Sequence, residues 1–89
     1  MRKLSLHTHL GKDLAALPPK QYRQVMSAIL DLLKEPFPHY SAPLAGSTFW
    51  RIEVGEFRVI YKADGDTVSV LGVGKRNDSE VYKLLERKM

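Results

Sequence analysis

The chain has 89 residues, 44% of them hydrophobic, a length and composition that predict one folded domain over residues 1–89. Its 14 lysines and arginines against ten aspartates and glutamates give a net charge of +4, which favours an anionic partner such as nucleic acid. No cysteine is present, which excludes disulfides and thiolate zinc sites. No long apolar run or signal peptide is evident, so we expect a cytoplasmic protein without membrane contact.

The N-terminal half predicts two helices after a short strand at residues 3–7. Leu10, Leu14 and Leu17 recur at helical spacing, and Pro18-Pro19 can end one helix and open the next. The second helix carries apolar residues at i, i+3, i+4 and i+7, namely Tyr22, Val25, Met26, Ile29, Leu32 and Leu33. The prolines at 36 and 38 stop it. We therefore predict an antiparallel helical hairpin within residues 8–34.

The C-terminal half predicts three strands, at residues 49–54, 57–62 and 67–73. Gly55-Glu56 suits a type II′ hairpin turn, and Asp64-Gly65 marks the second turn. Side-chain alternation then gives one apolar face, which carries Trp50, Ile52, Val54, Phe57, Val59, Tyr61, Val68 and Val70. The opposite face is predicted to carry Phe49, Arg51, Glu53, Arg58, Ile60, Lys62, Ser69, Leu71 and Val73.

These elements predict an α+β fold with an antiparallel sheet of three to four strands. The helical hairpin packs on one face of this sheet, and the charged, concave face stays open. Asn77, Asp78 or Ser79 can cap a short final helix whose small apolar side consists of Val81, Leu84 and Leu85.

The open face offers the residue types that RNA cleavage without a metal requires. Such a reaction needs a base for the 2′-hydroxyl proton, cations for the phosphorane and an acid for the leaving 5′-oxygen. Arg51 and Arg58 flank Glu53 on adjacent strands, and arginine suits phosphate because its planar fork donates several hydrogen bonds. A structural interpretation is at least as good at this point, because Glu53 and Arg58 also fit a simple cross-strand ion pair.

Further candidates follow the third strand. Lys75 and Arg76 add positive charge, and Tyr82 could stack on an unpaired base. A solvated turn and helix packing would explain the same three residues. His7, His9 and His39 lack acidic or thiol neighbours at ligand spacing, so we interpret them as surface or loop histidines and expect no metal site.

Two phrases of the sequence resemble a known family. Trp50-Arg-Ile-Glu-Val-Gly-Glu-Phe-Arg-Val-Ile-Tyr61 and Gly72-Val-Gly-Lys-Arg-Asn-Asp-Ser-Glu-Val-Tyr82 are similar to the RelE/ParE superfamily of toxin–antitoxin toxins. The predicted helical hairpin and Pro-Leu-x-Gly at 43–46 also match that family in position. The first phrase is shared across the superfamily, whereas the second resembles the ribonuclease branch.

The resemblance implies a RelE-type messenger RNA interferase. Such toxins cleave the codon in the ribosomal A site without metal or other cofactor, leave a 2′,3′-cyclic phosphate, and are silenced by a RelB-like antitoxin. It implies that Arg58 binds the scissile phosphate, that Arg76 stabilises the transition state and that Tyr82 orients the base. Lys75 and Arg51 would contact RNA, Arg51 in place of a family lysine.

Glu53 departs from the family pattern, because well-known members have a lysine there. A carboxylate cannot stabilise a phosphorane, but between two arginines it stays ionised and could act as a general base. Two alternatives therefore remain open at the level of sequence. One is a ParE-like toxin that binds and inhibits DNA gyrase, and the other is a catalytically inactive protein of the same fold.

Overall fold

The computed structural model of the chain describes residues 2–75. Its two helices are α1 (Leu10–Ala15) and α2 (Pro19–Asp31). Its five strands are β1 (Lys3–Leu6), β2 (Ala42–Pro43), β3 (Trp50–Val54), β4 (Phe57–Asp64) and β5 (Thr67–Lys75). The predicted final helix lies outside the described residues.

The five strands form one sheet in the order β1-β5-β4-β3-β2. The α+β class is confirmed, but the sheet has more strands than predicted and is mixed, because β1 pairs with β5 in parallel. A parallel pair requires a long connection between its strands, and the helices lie within this one. The sequence did not predict β2, since two residues that include Pro43 give no alternation to detect.

The helices pack on one face of the sheet, here called the helical face. Pro18 precedes α2 and Pro19 occupies its first turn, where the missing N–H costs no hydrogen bond. Of the predicted stripe, Val25, Ile29 and Leu32 are fully buried. Tyr22, the first residue of the predicted stripe, is 42% exposed and lies near the N-terminal end of α2.

The main core joins the helices to three strands of the sheet. It contains thirteen buried residues, which are Leu10, Leu14, Val25, Ile29, Leu32, Leu33, Ile52, Phe57, Val59, Tyr61, Val68, Val70 and Val73. Trp50 packs against this cluster and contacts the ring of Phe37 at 4.6 Å between centroids. The hydroxyl of Tyr61 donates a 2.6 Å hydrogen bond to the carbonyl of Pro36. This bond ties the centre of β4 to the segment that follows α2.

The first hairpin has the predicted register, and the second turn lies one residue later than the predicted Asp64-Gly65. Val54 pairs with Phe57 and Glu53 with Arg58, which leaves Gly55-Glu56 as a two-residue loop. Asp64 pairs with Thr67, so the second loop is Gly65-Asp66. Both first loop residues are glycines with φ of +61°, the left-handed conformation that a type II′ turn requires.

A β-bulge between β4 and β5 changes the predicted faces. Tyr61 pairs with Val70 but Ile60 pairs with Gly72, so Leu71 is an extra residue in β5. Leu71 stays on the side predicted for it, whereas Val73 lies opposite Val59 and joins the main core. The prediction that Val73 lies on the charged face was wrong, because the extra residue reverses the alternation beyond it.

The face away from the helices, here called the polar face, has a small apolar cluster of its own. Leu44, Ile60 and Leu71 are buried there, and Phe49 packs against them. Leu44 and Phe49 come from the loop between β2 and β3, which is closed by a 2.9 Å hydrogen bond from the Leu44 N–H to the Phe49 carbonyl. Through Leu44 and Phe49, this loop covers the part of the polar face around Ile60 and Leu71.

Candidate functional site

Two arginines and one glutamate meet on the polar face. Arg58 Nη2 donates to Glu53 Oε1 at 2.6 Å, and Arg51 Nη1 donates to the same oxygen at 3.1 Å. Both hydrogen bonds join charged groups, which makes them stronger than neutral ones. The three side chains predicted to form the site on these strands are therefore brought together.

The β3–β4 hairpin sets this geometry. Glu53 lies directly opposite Arg58, and Arg51 lies two residues before Glu53 on β3, so all three project from the same face. The tight turn at Gly55-Glu56 fixes the register, since a slip of one residue would send these charges into the core. The site thus depends on the same turn that builds the sheet.

Glycines border the arginines on the neighbouring strand. Beyond the bulge, Gly74 lies opposite Arg58 and Gly72 lies opposite Ile60. Neither contributes a side chain, so the polar face beside Arg58 presents backbone where other residues would stand. A ligand can approach the backbone closely at such positions.

The exposure of the cluster is uneven. The Arg58 side chain is 14% exposed, against 32% for Arg51 and 34% for Glu53. Arg58 is therefore held in place by its surroundings, while the outer side of the cluster contacts solvent. Two guanidinium groups share one carboxylate, which leaves one net positive charge on the cluster. Ion pairs on the solvent-exposed side of a protein stabilise the fold by only about 0–1 kcal/mol.

The structure separates Lys75 from this cluster. Lys75 ends β5 opposite Phe57, on the helical side of the sheet. There it borders a cavity of about 550 Å³ between the helices and the β3–β4 turn, together with Asp13, Gln21 and Glu56. The predicted site residues Arg76 and Tyr82 lie outside the described residues, so their positions stay predictions.

The histidines are partly different from expectation. His39 is exposed, and its ring lies 5.3 Å from that of Tyr40. His7 and His9 are half-buried, with ring centroids 4.1 Å apart. No group of three or more potential metal ligands occurs among residues 2–75. In the same part of the chain, no helix is long and apolar enough to cross a bilayer.

Sequence reasoning missed one feature of the polar face, a hollow of about 220 Å³ between β1, β5 and β4. It involves Ser5 of β1 and His7, which follows β1. Strand β1 pairs with β5, which is more than 60 residues away along the chain. No local pattern signals that pairing. For the part of the hollow on β4 and β5, a signal was available, because Lys62 and Ser69 alternate with buried neighbours and so lie on the polar face.

The family model described as "ParE toxin of type II toxin-antitoxin system, parDE" matches residues 5–80. The chain therefore belongs to the ParE toxin family of type II toxin–antitoxin systems. A comparison with curated protein sequences finds no significant match.

Solved structures of RelE proteins have the same fold. The RelBE2 toxin–antitoxin complex of Mycobacterium tuberculosis contains a chain that is 28% identical, with a TM-score of 0.74, over 84% of this chain and 98% of that one. For the RelE-RelB complex of Pyrococcus horikoshii, the identity is 25%, the TM-score 0.75 and the coverage 84% and 94%. A mutant of the Escherichia coli toxin RelE in the free state reaches a TM-score of 0.82 at 21% identity, over 99% and 97% of the two chains.

Proposed function

We propose that this toxin is a ribosome-dependent endoribonuclease that cleaves messenger RNA in the A site. The observation that carries the proposal is the convergence of Arg51 and Arg58 on one oxygen of Glu53, on a face of the sheet where Gly74 lies opposite Arg58. A carboxylate oxygen and a phosphate oxygen both accept charge-assisted hydrogen bonds from a guanidinium group. The place now taken by Glu53 Oε1 is therefore a suitable place for a non-bridging oxygen of the scissile phosphate.

The reaction is a transfer of phosphorus between two oxygens of the RNA. The 2′-oxygen attacks the adjacent phosphorus and gives its proton to a base, while the bond from phosphorus to the 5′-oxygen breaks and that oxygen takes up a proton. The products are a 2′,3′-cyclic phosphate and a 5′-hydroxyl. Arg58 and Arg51 stabilise the charge on the phosphorane, a role that donors already in position perform without reorganisation. Arg76 serves as the acid, and Tyr82 orients the base.

Glu53 acts as the base after it exchanges partners with the RNA. When a phosphate oxygen takes the hydrogen bonds of Arg58 Nη2 and Arg51 Nη1, Oε1 of Glu53 loses these two donors while it stays close to the bound phosphate. A carboxylate oxygen next to the 2′-hydroxyl can accept its proton. Glu53 thus competes with the phosphate for the arginines before RNA binds and accepts the 2′-hydroxyl proton once the RNA is bound.

The dependence on the ribosome follows from the weakness of this acid–base set. The usual pKa values of arginine and tyrosine side chains lie far above 7, so these groups transfer protons inefficiently near pH 7. Holding the RNA in line for attack can instead contribute about 7–11 kcal/mol. The ribosome supplies that positioning, so we expect little cleavage of naked RNA.

The protein partner is a RelB-like antitoxin. Two solved structures that are 28% and 25% identical to this chain are toxin–antitoxin complexes of RelE with RelB, which supports a partner of this class. An antitoxin that covers the polar face would keep RNA from Arg51 and Arg58. Such a partner would carry acidic residues opposite this basic face.

The test is cell-free translation with the purified chain and mapping of messenger ends by primer extension. The proposal expects cuts within A-site codons that require ribosomes and disappear with Arg76→Ala or Arg58→Ala. Arg23→Ala, which removes an exposed arginine from α2, is the matched control and should cut normally. Intact messenger with the unmodified chain, or equal cutting by Arg58→Ala, would reject the proposal.

The match to the ParE toxin family favours a second candidate, a toxin that inhibits DNA gyrase by binding it. This activity needs no catalytic residue, and Arg51, Glu53 and Arg58 would then form only a structural ion-pair cluster. A supercoiling assay with purified gyrase separates the two. Trapped cleavage complexes together with intact messenger would favour the gyrase inhibitor, and no effect in either assay would indicate an inactive protein of this fold.

A further inference from the structure

A hollow on the polar face lies apart from the arginine cluster and has a mixed lining. It measures about 220 Å³, less than the ~300–1,000 Å³ of pockets that enclose a drug-sized ligand. Its polar lining residues share one row of the sheet or border it, and its apolar ones come from the small cluster of this face and, at Val70, from the main core. The lining consists of Ser5, His7, Lys62, Ser69, Phe49, Val70 and Leu71.

The sheet register explains why these groups converge. Ser5 pairs with Ser69 and Ser69 pairs with Lys62, so the three form one row across β1, β5 and β4. Paired residues project from the same face, which brings two hydroxyls and an ammonium group together. Phe49 and Leu71 supply an apolar side, because both pack around Ile60.

Each part of the lining suits a different part of a nucleotide. Hydroxyls can donate and accept hydrogen bonds, which allows Ser5 and Ser69 to contact the edge of a base. A half-buried phenylalanine ring offers an apolar surface, and aromatic rings are common platforms for unstacked bases. Lys62 makes no ion pair with any residue between 2 and 75, so its charge is available for a phosphate.

The hollow is in line with the arginine cluster. Lys62 and Arg58 lie on the same face of β4, four residues apart, which corresponds to about 13 Å of strand. A short length of single-stranded RNA can cover that distance. The polar face thus has two separate contact points along one strand, one at Arg58 and one at the hollow.

We propose that the hollow is a second RNA subsite, which receives one unstacked base of the messenger near the scissile phosphate and thereby sets the sequence preference of cutting. This inference rests on the proposed ribonuclease function and adds a specificity site to it. Sequence-specific recognition of RNA depends on such unstacked bases, whose edges are accessible.

The experiment compares messenger cleavage patterns of variants in the cell-free translation system. Ser69→Leu fills the hollow, and Lys62→Gln removes the positive charge while it keeps a polar side chain at this position. Lys20→Gln is the matched control, because it makes the same substitution at an exposed position of α2. Circular dichroism checks that each variant folds, and Lys62→Gln keeps the test usable if Ser69→Leu does not fold, because Lys62 lies outside both apolar clusters.

We expect both hollow variants to slow cleavage about tenfold at the codons that the unmodified chain prefers and to change the order of preference, while Lys20→Gln does neither. If the unmodified chain cuts and Lys62→Gln and folded Ser69→Leu reproduce its pattern and rate, the subsite is wrong and the ribonuclease proposal stands. If the unmodified chain cuts nothing, both proposals fail.

Discussion

The two faces of the sheet differ in what holds them together. The helical face contributes to a continuous cluster of thirteen buried residues, whereas the polar face, within residues 2–75, has a cluster of three buried residues beside two ion pairs on one carboxylate. Hydrophobic burial dominates folding free energy, and exposed ion pairs add little. The difference indicates that most of the stabilising burial lies on the helical face, while the charged groups lie on the polar face.

The largest expected effect compares two isoleucines. Ile52 and Ile60 are 0% and 1% exposed, but Ile52 belongs to the main core and Ile60 to the small cluster. We expect Ile52→Ala to lower the free energy of unfolding by about 3–5 kcal/mol and Ile60→Ala by about 2 kcal/mol, because a cavity under a loop collapses more easily. Urea unfolding measures both values. Equal losses would mean that the loop at 44–49 packs as firmly as the helices.

The second prediction separates activity from stability at Arg58. Arg58→Ala should lower ribosome-dependent cleavage by about 100-fold or more, as loss of one transition-state donor does. It should lower the free energy of unfolding by only about 1–3 kcal/mol, because Arg58 is 14% exposed and donates one hydrogen bond to the charged Glu53. Primer extension and urea unfolding measure the two quantities, and Arg23→Ala controls for the charge. A large loss of stability instead would make the cluster structural.

Glu53→Gln tests the role of the shared carboxylate. A glutamine cannot accept the 2′-hydroxyl proton, so cleavage should fall by about 100-fold. The amide is close in shape, and the fold should be retained. If cleavage rises instead, Glu53 only competes with phosphate for the arginines and the base is another group. Glu56→Gln, at the exposed turn of the same hairpin, is the matched control.

The smallest effect concerns Tyr61 and alkaline pH. Burial raises the pKa of the Tyr61 phenol, a hydrogen bond with Ser41 opposes this, and the neighbouring Tyr40 and Glu35 add to the rise. Above pH 10 the unfolded chain therefore loses this proton first, so the native state binds more protons and stability falls as pH rises. Tyr61→Phe should cost about 1 kcal/mol at pH 7 through the lost bond to Pro36.

The pH dependence distinguishes Tyr61 from the other titrating groups. The gap in unfolding free energy between the unmodified chain and Tyr61→Phe should narrow as pH rises from 10. Tyr22→Phe is the control, because Tyr22 is exposed and its removal should leave the alkaline dependence unchanged. A constant gap across that range would show that the phenol of Tyr61 does not titrate differently in the two states.

Local patterns in the sequence predicted those features of the structure that depend on residues close together along the chain. The hairpin loop at Gly55-Glu56 and the face shared by Arg51, Glu53 and Arg58 followed from alternation and turn chemistry, and both are confirmed. The parallel pairing of β1, the short β2 and the bulge at Leu71 were missed. They depend on contacts between distant parts of the chain, which no local periodicity records. The hollow was missed for the same reason, since Ser5 meets Ser69 only through the β1–β5 pairing.

The extra residue in β5 exchanges the two faces of the sheet for the side chains that follow it. Without Leu71 as a bulge, Val73 would stand opposite Arg58, and Gly72 would take a place in the core, where it would leave a void. With the bulge, valine fills the core and both glycines border the arginines. Any transfer of residue roles between related toxins by counting along this strand must therefore account for this one residue, or every assignment after it falls on the wrong side of the sheet.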